Sequence, residues 1–321
     1  MGECEKLPAT LERYQQRFAQ VLAHVEAHPE GSLSVGDLSA IAAFSQHHFH
    51  RQFSAFLGMS VYRYAQYMRM RRASWRLAFR PELSVGEIAL ITGYEGPEAF
   101  ARAFRQFAGQ SPSEFRAAPD WREWHARFRP FIELRQANMN SFDLPRVVRI
   151  VQFPATRVAT LEHRGSPVRL GESIRKFIEW RRANKLRPDL SATFNIAYDD
   201  PDETPPDEFR FALCAATDKA IAPNDAGVTE FTIPAGRCAL LRHTGSDDQL
   251  GRSVRYLYAH WLPASGEETR DFPLFMQRVN FFPDVADGEA ITDLYLPLRL
   301  NENARREAGR LRLTPRTVVS S

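Results

Sequence analysis

The chain is predicted to be multidomain, with an all-α tandem helix-turn-helix block first, its two units joined by one long helix, and then an α+β block of two pseudo-symmetric βαββ repeats. Three observations predict this. The stretch LSVGDLSAIAAF from Leu33 recurs as LSVGEIALITGY from Leu83, and RVATLEHRGSPVRLGESIRKFIEW from Arg157 recurs as RCALLRHTGSDDQLGRSVRYLYAHW from Arg237. Self-similarity of this kind marks duplicated supersecondary units. The third observation is size: 321 residues, 44% hydrophobic and 25% charged, have globular composition and exceed one ordinary core. The expected organisation is a helical block over 11–117, a connector over 118–146, an α+β domain over 147–300 and a tail over 301–321.

Each copy in the helical block reads as helix, turn, helix. Ser34 and Ser84 offer N-cap hydroxyls, and Asp37 and Glu87 complete capping boxes three residues on. After one inserted residue, Phe49, Arg51, Phe53, Phe56, Gly58, Ser60 and Tyr64 correspond to Phe100, Arg102, Phe104, Phe107, Gly109, Ser111 and Phe115. The second helix of each copy is amphipathic. Phe49, Phe53, Phe56 and Leu57 share one face, with His47, His50, Arg51 and Ser54 opposite; Phe100, Phe104 and Phe107 oppose Glu98, Ala101, Arg102 and Arg105. A duplicated helix-turn-helix with a polar outer stripe is the physical form of a major-groove reader.

Between the copies, VYRYAQYMRMRRASWRLAF contains neither Pro nor Gly and is expected to hold the two readers rigidly apart. No Asp or Glu occurs over 45–81, where Arg51, Arg63, Arg69, Arg71, Arg72, Arg76 and Arg80 accumulate. Such a block is either a solvated face or a contact for nucleic-acid phosphates, the role expected of Arg71 and Arg72. The segment 118–146, with Pro119, Pro130, Pro145, Trp121 and Trp124, reads as an ordered connector, so the helical block is expected to fold alone when cut near residue 120. The Arg-rich tail reads as mobile.

Over 11–116 the sequence resembles the AraC family of regulators, most closely in ITGYEGPEAFARAFRQFAGQSPSEFR. The resemblance implies that the second helices enter successive major grooves of double-stranded DNA, through Gln46, His47, His50 and Arg51 in the first copy and Gly96, Pro97, Glu98 and Arg102 in the second. It implies RNA polymerase as a protein partner and activation as the direction of control. The histidines of QHHFH point different ways around a helix with no nearby carboxylate, so no metal is expected there. Glu98 suits a cytosine contact better than acid catalysis.

In the second block each repeat opens with an alternating strand, turns at Gly-Ser and enters an amphipathic helix, with further strands expected over 194–198, 209–214, 275–280 and 291–298. Segregated strands and helices of this kind make an α+β domain with a pseudo-twofold axis and a concave seam. His163 and His243 are equivalent and are expected at strand ends, in a surface or turn role. The stretches AYDDPDETPPDEFRF, FTIPAGRCALLRHTG, YLYAHWLPASG and ITDLYLPL resemble the GyrI-like effector-binding domain, over about 147–300. That likeness implies a cleft for a hydrophobic, often cationic small molecule. Trp180, Phe194, Tyr258, Trp261, Phe275, Met276 and Tyr295 are the expected lining, although each aromatic alone also suits an ordinary core. Where the family commonly carries an acid, PLFMQRVNFF places Met276 and then Gln277, which points to a ligand without positive charge and away from hydrolase chemistry.

No Ser-His-Asp order, phosphate-binding glycine loop or metal-ligand spacing is present, and Cys4, Cys214 and Cys238 are odd in number and widely spread. An enzyme, a cofactor and a metal are therefore not expected. The apolar runs fall short of the roughly 20 residues of a membrane span, and the first residues lack signal-peptide order, so a cytoplasmic protein away from membranes is expected. The reading that follows is a sequence-specific DNA-binding transcriptional regulator, an activator modulated by a small hydrophobic effector. Its rivals are an enzyme acting on small hydrophobic molecules, and a constitutive DNA binder whose second domain is a protein-interaction surface.

Overall fold

The computed structural model describes residues 9–28, 34–139, 146–201, 203–281, 284–285 and 287–300. The 301–321 tail and Cys4 lie outside them, as does the side chain of His47.

The helical half consists of α1 (Ala9–Ala27), α2 (Val35–Ile41), α3 (Gln46–Leu57), α4 (Val61–Phe79), α5 (Val85–Ile91), α6 (Pro97–Ala108), α7 (Pro112–Ala117) and α8 (Trp121–Met139). Local chemistry sets the boundaries. Ser34 Oγ accepts from Asp37 N–H, while Ser84 with Glu87, and Ser111 with Glu114, form complete capping boxes. Gly58 and Gly109 end α3 and α6 at φ 75° and 80°, a left-handed conformation that costs glycine little.

Two cores lie side by side. Phe18, Phe49, Phe53 and Tyr64 fill one, and Phe100, Phe104, Phe115 and Trp121 the other. Helix α4 serves both, giving Tyr64 and Met68 to the first and Met70, Ala73 and Leu77 to the second. So does α8, whose Phe131 closes the first core while Trp124 and Phe128 close the second, with the Trp124 indole N–H donating to Ser74 Oγ at 2.9 Å. The stretch expected to connect two domains is thus, through Met139, a structural helix of the first. Pro130 inside it removes a helical hydrogen bond at a cost of about 3 kcal/mol, offset by burying Phe128 and Phe131 at roughly 1.5–3 kcal/mol each.

The second half is one antiparallel sheet of β1 (Val148–Phe153), β2 (Thr156–Arg164), β3 (Thr193–Ala197), β4 (Arg210–Ala216), β5 (Thr229–Ile233), β6 (Gly236–Thr244), β7 (Leu274–Asn280) and β8 (Ile291–Pro297), in the order β1-β6-β8-β7-β3-β4-β2-β5. The repeats meet where β3 pairs with β7. The leading strands β1 and β5, absent from the sequence reading, are exchanged between the repeats, β1 pairing with β6 and β5 with β2. Only Pro154 and Ala155 separate β1 from β2, although the two strands stand near opposite ends of the order. Pro234 and Ala235 link β5 to β6 in the same way, so the sheet has to curl until its ends approach.

Helices α9 (Leu170–Ala183) and α10 (Leu250–Tyr256) cover the outer face, the latter running on through a π-helical turn, Leu257–Trp261. Phe177 of α9 packs on Leu161 and Leu213, and Leu257, in the turn that continues α10, packs on Leu241 and Leu294. The inner face carries Phe153, Phe194, Phe275 and Tyr295.

His163 and His243 are buried, not surface, residues. Each ring pins a strand to the following helix: Nδ1 lies 2.8 Å from Ser173 Oγ in one repeat and 2.9 Å from Ser253 Oγ in the other. Nε2 faces the Ser166 carbonyl at 3.2 Å and the Ser246 carbonyl at 3.1 Å. A carbonyl can only accept, so Nε2 carries the proton and Nδ1 accepts from the serine.

Candidate functional site

Helices α3 and α6 each follow a short helix and a tight turn and present a polar edge. On α3, Gln46 and Arg51 are exposed, while His50 is half-buried and stacks on Tyr62 at 5.7 Å. His47 lies in the first turn of the same helix. On α6, Gly96 is the N-cap and Pro97 opens the helix, with Glu98, Arg102 and Arg105 exposed. Arg105 has Glu114 at 3.9 Å. Tyr62, half exposed beside His50, adds to this edge, a juxtaposition no repeat or periodicity signals. The 19 residues of α4 separate the two readers by about 28 Å at 1.5 Å per residue, against roughly 34 Å for one turn of DNA.

Arg71 and Arg72 do not belong to that edge. Their exposures are 6% and 7%, and Arg71 donates to Ser246 Oγ at 3.3 Å and approaches Asp248 Oδ2 at 3.4 Å. Helix α4 is enclosed by the two helical cores and the α+β domain, so its mid-helix arginines face protein and not phosphates. Arg80, at the end of the arginine block, also meets this interface, pairing with Asp284. From the other side, Arg182 donates to the Phe79 carbonyl at 2.8 Å, and Arg175 donates to the carbonyls of Arg116 and Ala117. Ile174 and Ile178 of α9 pack on the second helical core.

Alternate residues of a strand point to opposite faces, and this separates the expected ligand contacts. Phe194, Phe275 and Tyr295 gather on the inner face, where Phe275 and Tyr295 stack at 5.0 Å. Phe153, which the sequence reading missed because β1 was not foreseen, sits on them at 4.7 Å from Phe275, 5.1 Å from Tyr295 and 5.9 Å from Phe194. Met276 and Trp261 lie across the sheet beneath α10, and Trp180 stacks on Phe177 of α9 at 6.1 Å. Tyr258 is exposed at 44%. These four lie apart from the inner-face aromatics, Met276 being on the opposite face of the sheet from Phe275.

The inner-face residue of β7 beside Tyr295 is Gln277, whose Oε1 lies 3.5 Å from Tyr295 Oη. An acid does lie on this face. Asp293 of β8 stands opposite Gln277, with 7% of its side chain exposed, and Arg242 holds it through two bonds of 2.8 Å. The acid comes from β8 through cross-strand register, and not from β7 as the pattern of PLFMQRVNFF alone suggests.

Burial pushes the Cys214 thiol up to about 12 and that of Cys238 to about 11, so both stay protonated and unreactive. Among the described residues, no helix is long and apolar enough to cross a membrane.

Two outward helices on a rigid spacer, joined to a curled sheet with an aromatic inner face, define a helix-turn-helix DNA-binding regulator with a small-molecule domain. Residues 146–299 match the family described as the GyrI-like small molecule binding domain, and residues 38–118 match a helix-turn-helix domain family. The probable transcriptional regulator YgiV of Escherichia coli (strain K12) is 41% identical over 152 residues, which are 47% of this chain and 95% of that protein. The HTH-type regulator YbfP of Bacillus subtilis (strain 168) is 30% identical over 103 residues, 32% of this chain and 35% of that one. Among solved structures, the DNA-binding domain of AdpA in complex with a target DNA is 31% identical over 36% of this chain and 96% of that one, at a TM-score of 0.30. The chain belongs to the GyrI-like family, with an AraC-type helix-turn-helix domain in front. It is a DNA-binding transcriptional regulator.

Proposed function

We propose that the chain is a one-component activator whose DNA binding, through Gln46, His47, His50 and Arg51 on α3 and Gly96, Pro97, Glu98 and Arg102 on α6, responds to a small hydrophobic effector on the inner face of the sheet. The observation that carries this reading is the grip of the α+β domain on α4. Strand β6 passes Leu240 and Arg242 along the inner face and then turns at Ser246 and Asp248, which hold Arg71. Arg71 lies mid-way along the helix that spaces the two readers. A shift of β6 on ligand binding therefore reaches the spacer within a few residues, and an effector alters DNA affinity only through contacts that differ between the two states.

The direction of control rests on contact with RNA polymerase. The test is run-off transcription by purified polymerase from a promoter flanked by an operator selected from random DNA. More transcript with the protein present is the expected result; less transcript overturns activation. Operator binding that no aromatic compound alters favours the constitutive binder instead.

A further inference from the structure

Register aligns the inner-face residues in rows. In one row Arg149 stands opposite Leu240, Leu240 opposite Tyr295, Tyr295 opposite Phe275 and Phe275 opposite Ile196. In the next, Arg242, Asp293, Gln277, Phe194 and Cys214 follow one another across five strands. The aromatic floor thus ends, toward β1 and β6, in two arginines.

The charges there are unequal. Asp293 is saturated by Arg242 Nε and Nη2, both at 2.8 Å. Arg242 is nevertheless 52% exposed along its side chain, which leaves an edge of the guanidinium to solvent. Arg149 is exposed and has no carboxylate partner among the described residues. At the far end of the first row Glu162 is bound by Arg164 at 2.9 Å. An arriving cation meets two arginines and has to take Asp293 from Arg242, stranding a charge; an arriving carboxylate meets free guanidinium donors in the planar geometry they match best. Tyr295 adds a neutral hydroxyl, since burial holds its phenol above the ordinary range.

We propose that the inner face takes an aromatic anion, its ring lying on Phe275, Tyr295 and Phe194 and its carboxylate reaching Arg149 and the free edge of Arg242. The proposal rests on the reading of this face as the effector site. Phe153, 7% exposed, sits over these three rings at the end of the edge strand β1, so the ligand ring takes the place of the Phe153 ring on that floor.

The test is calorimetric titration of the full chain with three probes of one shape: 2-naphthoate, 2-naphthylmethanol and 2-naphthyltrimethylammonium. The expected result is 2-naphthoate binding at least tenfold tighter than the ammonium. Arg149→Gln should remove most of that advantage while leaving 2-naphthylmethanol unchanged. The paired variant Arg242→Gln with Asp293→Asn strands no charge and should also lower naphthoate affinity. Tighter binding of the ammonium by the unmodified chain overturns the anion assignment and leaves the effector site standing, as does naphthoate binding indifferent to Arg149→Gln. Failure of all three probes to bind at millimolar concentration overturns the effector-site reading and the proposal together.

Discussion

Gly171 opens α9 directly beneath the Trp121 indole, where an added Cβ meets Cε2 at 2.5 Å. Its repeat counterpart Gly251 has open space around it. Gly171→Ala should therefore lower stability by about 1–3 kcal/mol through overpacking at the domain interface, whereas Gly251→Ala should be neutral or stabilising by up to about 1 kcal/mol. Thermal melts of the two variants check this; equal effects would show that the Trp121 contact carries no weight. A second residue-scale expectation concerns His243 and His125, both depressed below 6.5 chiefly by burial. The native state disfavours their charged forms, so the unfolded chain takes up protons first as pH falls. Their stabilising contribution is complete above about pH 6.5 and is lost as pH falls from there toward the folded pKa. Melting temperatures between pH 7.5 and 5.5 should decline, and His243→Gln should flatten the decline; a slope unchanged in both His243→Gln and His125→Gln refutes the assignment.

At the scale of elements, α8 decides where the helical domain ends. A fragment cut near residue 120 loses Trp121, Trp124, Phe128 and Phe131, all of them core residues. Deleting one buried aromatic typically costs about 3–5 kcal/mol, so that fragment should be unfolded by circular dichroism while residues 1–139 melt cooperatively. A folded 1–120 fragment would place α8 outside the folding unit. For the recognition helices, Arg51→Ala and Arg102→Ala should each weaken operator binding by about 1–3 kcal/mol, and base preference should relax at one position apiece. Affinity for a selected operator, unchanged in both variants, would remove α3 and α6 from the DNA face.

For the whole molecule, the grip on α4 separates a structural arginine from a DNA-binding one. Arg71→Ala should leave the salt dependence of DNA binding unaltered, because a residue 6% exposed and bonded to Ser246 neutralises no phosphate. It should instead lower stability by about 1–3 kcal/mol, non-additively with Asp248→Asn. A salt slope reduced by about one unit would return Arg71 to the phosphates.

By itself the sequence determined the elements that local chemistry can write. The serine caps, the phenylalanine stripes of α3 and α6 and the Pro- and Gly-free run of α4 are all local, and both duplications follow from identity at a fixed spacing. The pattern also assigned the paired strands of each repeat, because β3, β4, β7 and β8 each carry a run of three or more buried residues. Tertiary structure decided everything that depends on which surfaces meet. The edge strands β1 and β5 are largely exposed, each with a single buried residue, so their pattern is weak and their exchange between repeats rests on pairings distant in sequence. Arg71 looks like a phosphate contact until another domain covers it, and Trp121 like a linker residue until it packs on Phe79 and Gly171. The division of Phe275 from Met276 and the arrival of Asp293 beside Gln277 follow from pleat and register. Both are properties of neighbouring strands, and a single stretch of chain cannot express either.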